Sequence, residues 1–201
     1  YLYQIQFFKV NKFHVPIIII GNISLGGSGK TPFCIWLIKY LISKNIKVGV
    51  VSSGYKGSSK ISVVVDEMSD PSVVGDEARL LYENTDAKIV SCGNRVDATK
   101  LLLNTFKLDV VIHDDGIQHY SLDRDYEIIL IDNYKLFGNG FLLPAGPLRE
   151  LKSRISKSNI SIITNLDNEK IYSMSSINSG IKNIVTKEIK NFNYFKNKKI
   201  H

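Results

Sequence analysis

Ser24-Leu25-Gly26-Gly27-Ser28-Gly29-Lys30-Thr31 decides the fold. Residues 16–20, directly upstream, are a short β-branched run that predicts a buried strand. Residues 32–43, directly downstream, place Phe33, Trp36, Leu37, Tyr40 and Leu41 at helical spacing, and Pro32 suits a first helical turn. A glycine-rich turn between a strand and a helix is the context a phosphate-binding loop needs. Its glycines let backbone N–H groups turn inward, and the helix that follows aims its positive end at anionic oxygens. Ser24, Leu25, Gly26, Gly27, Ser28, Gly29, Lys30 and Thr31 are therefore the expected nucleotide-binding residues. Lys30 is suited to the β- and γ-phosphates and the Thr31 hydroxyl to Mg²⁺. Ser24 stands where the usual pattern has its first glycine.

Outward from the loop, strand and helix patterns alternate. Strands are expected at 47–52, 61–65, 88–91, 108–112, 126–131 and 160–164, and helices at 75–84 and 95–106. A Gly/Pro-rich loop covers 133–149. Buried apolar strands alternating with helices predict an α/β fold, a mostly parallel sheet flanked by helices, of the P-loop NTPase-like kind. Past Leu166 the pattern degrades into Asn, Lys and Ser. The expected organisation is a membrane-proximal segment (1–14), a core domain (15–156) and the start of a second, smaller α/β domain (157–201).

The 201 residues are 44% hydrophobic and 22% charged, an ordinary globular balance. The net charge of +7 comes entirely from residues 151–201, with 10 Lys+Arg against 3 Asp+Glu. A charge run of that kind is expected to be a solvated face, and no interleaved aromatic and basic surface points to nucleic acid. Cys34 and Cys92 show neither metal-ligand spacing nor a disulfide framework. No apolar stretch is long enough to span a membrane. The aromatic and basic residues 1–13 read either as the flank of a membrane anchor or as a partly buried entry helix.

Three acidic or polar constellations carry chemistry. Asp114 and Asp115 follow the strand at 108–112, at the carboxyl edge where ligands of open parallel sheets sit, and a carboxylate there is a candidate Mg²⁺ ligand. His119, in Asp-Asp-Gly-x-Gln-His, is placed to bond a phosphate, to orient Asp115 or to fill space; His113 has less claim. Gly75-Asp76-Glu77 opens a helix, so Asp76 reads as an N-terminal cap or as the carboxylate that steers the proton of an attacking hydroxyl. Residues 138–150 form a rigid apolar loop ending in Arg149, either a rim for a lipid-like substrate with Arg149 on a phosphate, or a packed connection with Arg149 bonded to Glu150 or a carbonyl.

Together these segments resemble the tetraacyldisaccharide 4'-kinase family of the lipid A pathway of Gram-negative bacteria. The resemblance rests on Val15-Pro16, Gly21-Asn22-Ile23, Gly26-Gly27-x-Gly29-Lys30-Thr31-Pro32, Ser53-Gly54-Tyr55 and Val74-Gly75-Asp76-Glu77. It continues through Asp114-Asp115-Gly116-x-Gln118-His119-Tyr120, Leu122-x-Arg124-Asp125 and Gly138-Asn139-Gly140 to Leu143-Pro144-Ala145-Gly146-Pro147-Leu148-Arg149-Glu150. It implies transfer of the ATP γ-phosphate, with Mg²⁺, to the 4'-hydroxyl of an acylated disaccharide phosphate lipid at a membrane surface, the cytoplasmic face of the inner membrane. It also implies Lys30 and Thr31 on ATP and Mg²⁺, Asp114 and Asp115 as the metal-side pair, and Asp76 as catalytic beside the nucleophile. Glu77, His119 and Arg149 become candidates for the acidic lipid.

The chain departs from the family at Ser53, where Arg is usual, at Lys56, where Gly is usual, and at His113, where an apolar residue is usual. The resemblance further implies an N-terminal membrane helix, and a second domain whose histidine partners the Asp at position 76, so the chain is expected to be the core domain of a longer protein. Two other classes share the loop. ParA/MinD-type ATPases carry a Lys where Leu25 stands, and a nucleotide-binding fragment would bind without transferring phosphate.

Overall fold

A computed structural model describes residues 10–53, 61–166, 172–175, 181–182, 186, 188–191 and 194. Residues 1–9 of the expected entry segment, and Gly54, Tyr55 and Lys56, lie outside the described residues. Residues 10–13 are not helical: Asn11 pairs in parallel with Leu122, Lys12 meets Asp123 at 3.2 Å and Phe13 packs on the core.

The phosphate loop follows strand β1 (Ile17–Gly21) and precedes helix α1 (Lys30–Ser43), as expected. The remaining elements are β2 (Val48–Ser52), β3 (Val63–Val64), α2 (Pro71–Val74), α3 (Asp76–Asn84), β4 (Lys88–Ser91) and α4 (Arg95–Thr105). After them come β5 (Val110–Asp114), β6 (Tyr126–Asp132), β7 (Ile160–Thr164), β8 (Ser173–Met174), β9 (Ile181–Lys182) and β10 (Ile189–Lys190). Eight strands form one sheet in the order β3-β4-β2-β5-β1-β6-β7-β8. Only the short edge strand β3 runs antiparallel, so the carboxyl ends of the other strands share one edge.

Both faces of this sheet are covered, which is why its central strands are apolar throughout rather than alternating. Val51, Val111 and Ile129 pack with Ala98 and Leu102 of α4 on one face. Val50, Ile112 and Ile128 pack with Phe33 and Ile38 of α1 and Ala78 and Leu81 of α3 on the other. Truncating a fully buried residue such as Ile112 to Ala would cost about 2–5 kcal/mol.

The segment expected to begin a second domain at residue 157 contributes strand β7 to the main sheet. Ile160–Thr164 pairs in parallel with β6 along its whole length, from Ile128↔Ile160 to Asp132↔Thr164, and β8 adds to it. The main sheet thus extends through residue 174, and among the described residues β9 and β10 form a separate two-stranded antiparallel sheet. The Pro71–Val74 turn was not expected; Asp70 caps it by accepting from the Ser72 N–H at 2.8 Å.

Candidate active site

The loop after β1 is held open by one buried side chain. Asn22 donates from Nδ2 to the carbonyls of Ser24 (2.6 Å) and Gly26 (3.4 Å), while its Oδ1 accepts from Lys30 Nζ at 3.0 Å. A single amide thus braces two loop carbonyls and fixes the lysine. Gly26 has φ +99°, which a side chain at that position would strain. Helix α1 has no side-chain cap at Gly29 and no acidic residue in its first turn, so its first N–H groups are left for an anion. Asn22→Ala should lower stability by about 1–3 kcal/mol, because it orphans two carbonyls, and should weaken nucleotide binding by freeing Lys30. A urea midpoint equal to the native one would contradict this.

The expected rim at 138–150 is laced directly to the phosphate loop. Leu25 N donates to Pro147 O and Arg149 N to Ile23 O, each at 2.7 Å, and Ser24 bridges Leu148 in antiparallel. Asn139 pins the rim's own turn through Ala145 O (2.9 Å) and the Phe141 N–H (3.1 Å). This lacing delivers Arg149 to Asp115, not to Glu150 or a carbonyl. Arg149 Nη1 lies 3.0 Å from both Asp115 oxygens and 3.3 Å from Gln118 Oε1. Glu150 pairs with Arg154 instead, at 3.2 Å. Lys30 Nζ approaches Asp115 Oδ1 to 3.7 Å, so Asp115 sits between two cations.

The two neighbouring aspartates have different surroundings. Asp114, the last residue of β5, is 1% exposed, and neither carboxylate oxygen has a hydrogen-bond partner. Burial, then the nearby Glu77, pushes its carboxyl up from 3.8 to about 6, against the pull of Arg95 and Lys30. A buried carboxylate with two orphaned oxygens, facing a lysine and a phosphate loop, fits a hard cation. Among the described residues no three His, Cys, Asp or Glu side chains converge on one point. Mg²⁺ is one such hard cation, taking one or two carboxylates and completing its shell with phosphate and water.

Arg95, at the first turn of α4, holds the pair in place. It is 2% exposed and donates to the carbonyls of Val51 (2.7 Å), Asp114 (2.6 Å) and Asp115 (3.3 Å). Neither Arg95 nor Asn22 was assigned a role from sequence. The available signals were Asn22 between strand and loop, and Asn94 capping a helix directly before an arginine.

His113 faces α4, where Nε2 lies 3.1 Å from Thr99 Oγ1; burial keeps its pKa well below the usual value, so it fills the core as a neutral ring. His119 is half-buried beside the Asp pair, and burial followed by Arg95 lowers its pKa. Asp76 and Glu77 open α3 through Gly75, at φ 88° and ψ 150°, a conformation essentially restricted to glycine. Asp76 is exposed and Glu77 half-buried toward Asp114.

The sequence profile of the tetraacyldisaccharide-1-P 4'-kinase family matches residues 1–199. The chain belongs to the tetraacyldisaccharide-1-P 4'-kinase family. A tetraacyldisaccharide 4'-kinase of Coxiella burnetii (strain RSA 331 / Henzerling II) is 51% identical over 174 residues, 86% of this chain and 53% of the relative. One from Mannheimia succiniciproducens is 42% identical over 190 residues, 94% of this chain and 58% of the relative. The chain therefore spans little more than half the length of these curated tetraacyldisaccharide 4'-kinases. A solved structure of LpxK from Aquifex aeolicus in complex with ATP superposes with a TM-score of 0.80 at 30% identity, covering 99% of this chain and 66% of that one. Membership of the 4'-kinase family agrees with the α/β sheet of eight strands. Among the described residues no helix is long and apolar enough to cross a membrane.

Proposed function

We propose that this chain is the nucleotide-binding and phosphoryl-transfer part of a kinase. It moves the ATP γ-phosphate to the 4'-hydroxyl of a tetraacyldisaccharide 1-phosphate in lipid A synthesis, at the cytoplasmic face of the inner membrane. The observation that carries this is the phosphate loop, with Lys30 fixed by Asn22 and Asp115, set against the orphaned carboxylate of Asp114.

Phosphoryl transfer asks a protein mainly for positioning and for positive charge around the phosphates. Residues 24–31 cradle the nucleotide, with Lys30 on the β- and γ-oxygens. Asp114 and the Thr31 hydroxyl hold Mg²⁺, which neutralises phosphate charge when bound. Asp115 serves the metal side by keeping Lys30 and Arg149 in register, and Arg149 retains Nη2 and Nε for an incoming phosphate. Asp76, exposed at the start of α3, accepts the proton of the acceptor hydroxyl as its oxygen bonds to the γ-phosphorus and the bond to ADP breaks.

The acceptor side is a cleft of about 640 Å³ beside Arg149, lined also by Gln118, Tyr120, Leu142, Leu151 and Arg154. Its mixture of guanidinium and apolar walls suits an acidic lipid, and Glu77 and His119, beside Asp114 and Asp115, are further candidates for that substrate. Exposed Phe141, Leu142, Leu143 and Leu151, with Lys152 among them, favour contact of that rim with a membrane surface.

Asp76→Asn in the full-length protein should leave ATP affinity within about threefold of native and lower transfer about 10²-fold. Equilibrium binding of labelled ATP and a transfer assay on the same preparation separate the two effects. Native transfer rates in the variant would remove Asp76 from the chemistry.

A further inference from the structure

One lysine outside the nucleotide motif reaches the phosphate loop. Lys135 Nζ lies 3.3 Å from the place a Cβ on Gly26 would occupy. It arrives from the turn after β6, the strand that pairs with β1 on the side away from β5.

That turn is built to hold one shape. The buried Asp132 ends β6 and accepts from the N–H groups of Tyr134 (2.8 Å) and Lys135 (3.1 Å) through Oδ1. Its carbonyl accepts from Leu136 N at 2.7 Å, and its Oδ2 meets Asn165 Nδ2 at 3.4 Å. Leu136 is held at φ +44°, a strained value for a leucine, directly after the lysine.

The charge pattern separates Lys135 from the other cations at the loop. Lys30 and Arg149 share Asp115 as a counter-ion. Asp132 spends its oxygens on backbone and amide donors, and Lys135 has no ion pair among the described residues. An ammonium without a counter-ion, held against a phosphate-binding backbone, is set to meet phosphate oxygens.

Its position also says which phosphate. Gly29, Lys30 and Thr31 open α1, and their N–H groups serve the inner phosphates. Gly26 lies at the other end of the loop, across from that helix. We propose that Lys135 is a second phosphate-contacting cation of this site, bonding the terminal phosphate of a bound nucleoside triphosphate over Gly26. This rests on the phosphate-loop assignment and adds a residue that the loop motif does not contain. A contact with the terminal phosphate distinguishes triphosphate from diphosphate.

The test is equilibrium binding of ATP and of ADP, each with Mg²⁺, to the native full-length protein and to its Lys135→Ala, Lys135→Arg, Lys30→Ala and surface-control Lys44→Ala variants. Lys135→Ala should weaken ATP roughly 10-fold to 100-fold and ADP less than about threefold, with an unchanged melting temperature. Lys135→Arg should restore most of the ATP preference, and Lys44→Ala should match native. Equal weakening of both nucleotides, or of neither, in Lys135→Ala would overturn the assignment of Lys135 while leaving the loop intact, provided Lys30→Ala loses binding. A native chain that binds neither nucleotide would overturn both.

Discussion

Lys30→Ala should abolish measurable phosphoryl transfer in the full-length protein, by about 10³-fold or more, with little loss of fold. In the proposed mechanism Lys30 is the cation on the β- and γ-oxygens, and Asn22 and Asp115 hold its ammonium, 3.0 Å and 3.7 Å away. Its structural contribution is small by comparison. Asp115 keeps Arg149 at 3.0 Å, and Asn22 keeps its bonds to the Ser24 and Gly26 carbonyls. A melting temperature near native, together with ATP affinity reduced at least about 100-fold, is the expected pair of results. Unchanged affinity and turnover would remove the phosphate-loop assignment.

Asp114→Asn should separate stability from function in opposite directions. The carboxyl rises from 3.8 to about 6 because it is buried and faces Glu77, so its ionised form is disfavoured in the metal-free fold. The sign follows from proton counts. Between about pH 4 and pH 6 the unfolded chain has released this proton and the folded chain still holds it, so metal-free stability falls as pH rises through that window. Above pH 6 the full penalty, about 3 kcal/mol, is present. The amide carries no charge and escapes it. Asp114→Asn should therefore be as stable as native or more stable at pH 8 without metal, and should lack the native pH 4–6 component of the stability curve. Transfer should nonetheless fall about 10³-fold, because a neutral amide is a poor Mg²⁺ ligand. Mg²⁺ should stabilise native chain in the presence of ATP and have little effect on the variant. A variant that is destabilised at pH 8 and retains its Mg²⁺ response would contradict the assignment.

The aspartate pair also shows where sequence reasoning stops. Asp114 and Asp115 are adjacent and identical, and nothing local tells them apart. The difference comes from the fold: the last residue of β5 is buried against α1 and α3, while the next, at φ +52°, turns toward Lys30 and Arg149. Arg149 was legible as a cation at the end of an ordered loop, but its partner was not. That contact depends on Pro147 and Arg149 hydrogen-bonding to residues more than 100 positions earlier.

What was legible had a local cause. The runs at β1, β2, β5 and β6 are apolar because central parallel strands are buried on both faces, and the loop announces itself because glycines and a lysine must stand together. β7 was legible as a strand but its place beside β6 was not, since a half-buried run such as Ile160–Thr164 carries no mark of its neighbour in the sheet. Arg95 was passed over because arginine is ordinarily a surface residue. Its burial makes sense only once three carbonyls from β2 and the end of β5 converge on it.

The most direct test of the central claim incubates the full-length protein with γ-labelled ATP, Mg²⁺ and tetraacyldisaccharide 1-phosphate, and follows the label. The label should appear in the lipid at the 4' position, with Lys30→Ala and Asp114→Asn giving none above background. Label found only as inorganic phosphate, or an unlabelled lipid beside intact ATP, would contradict the kinase assignment.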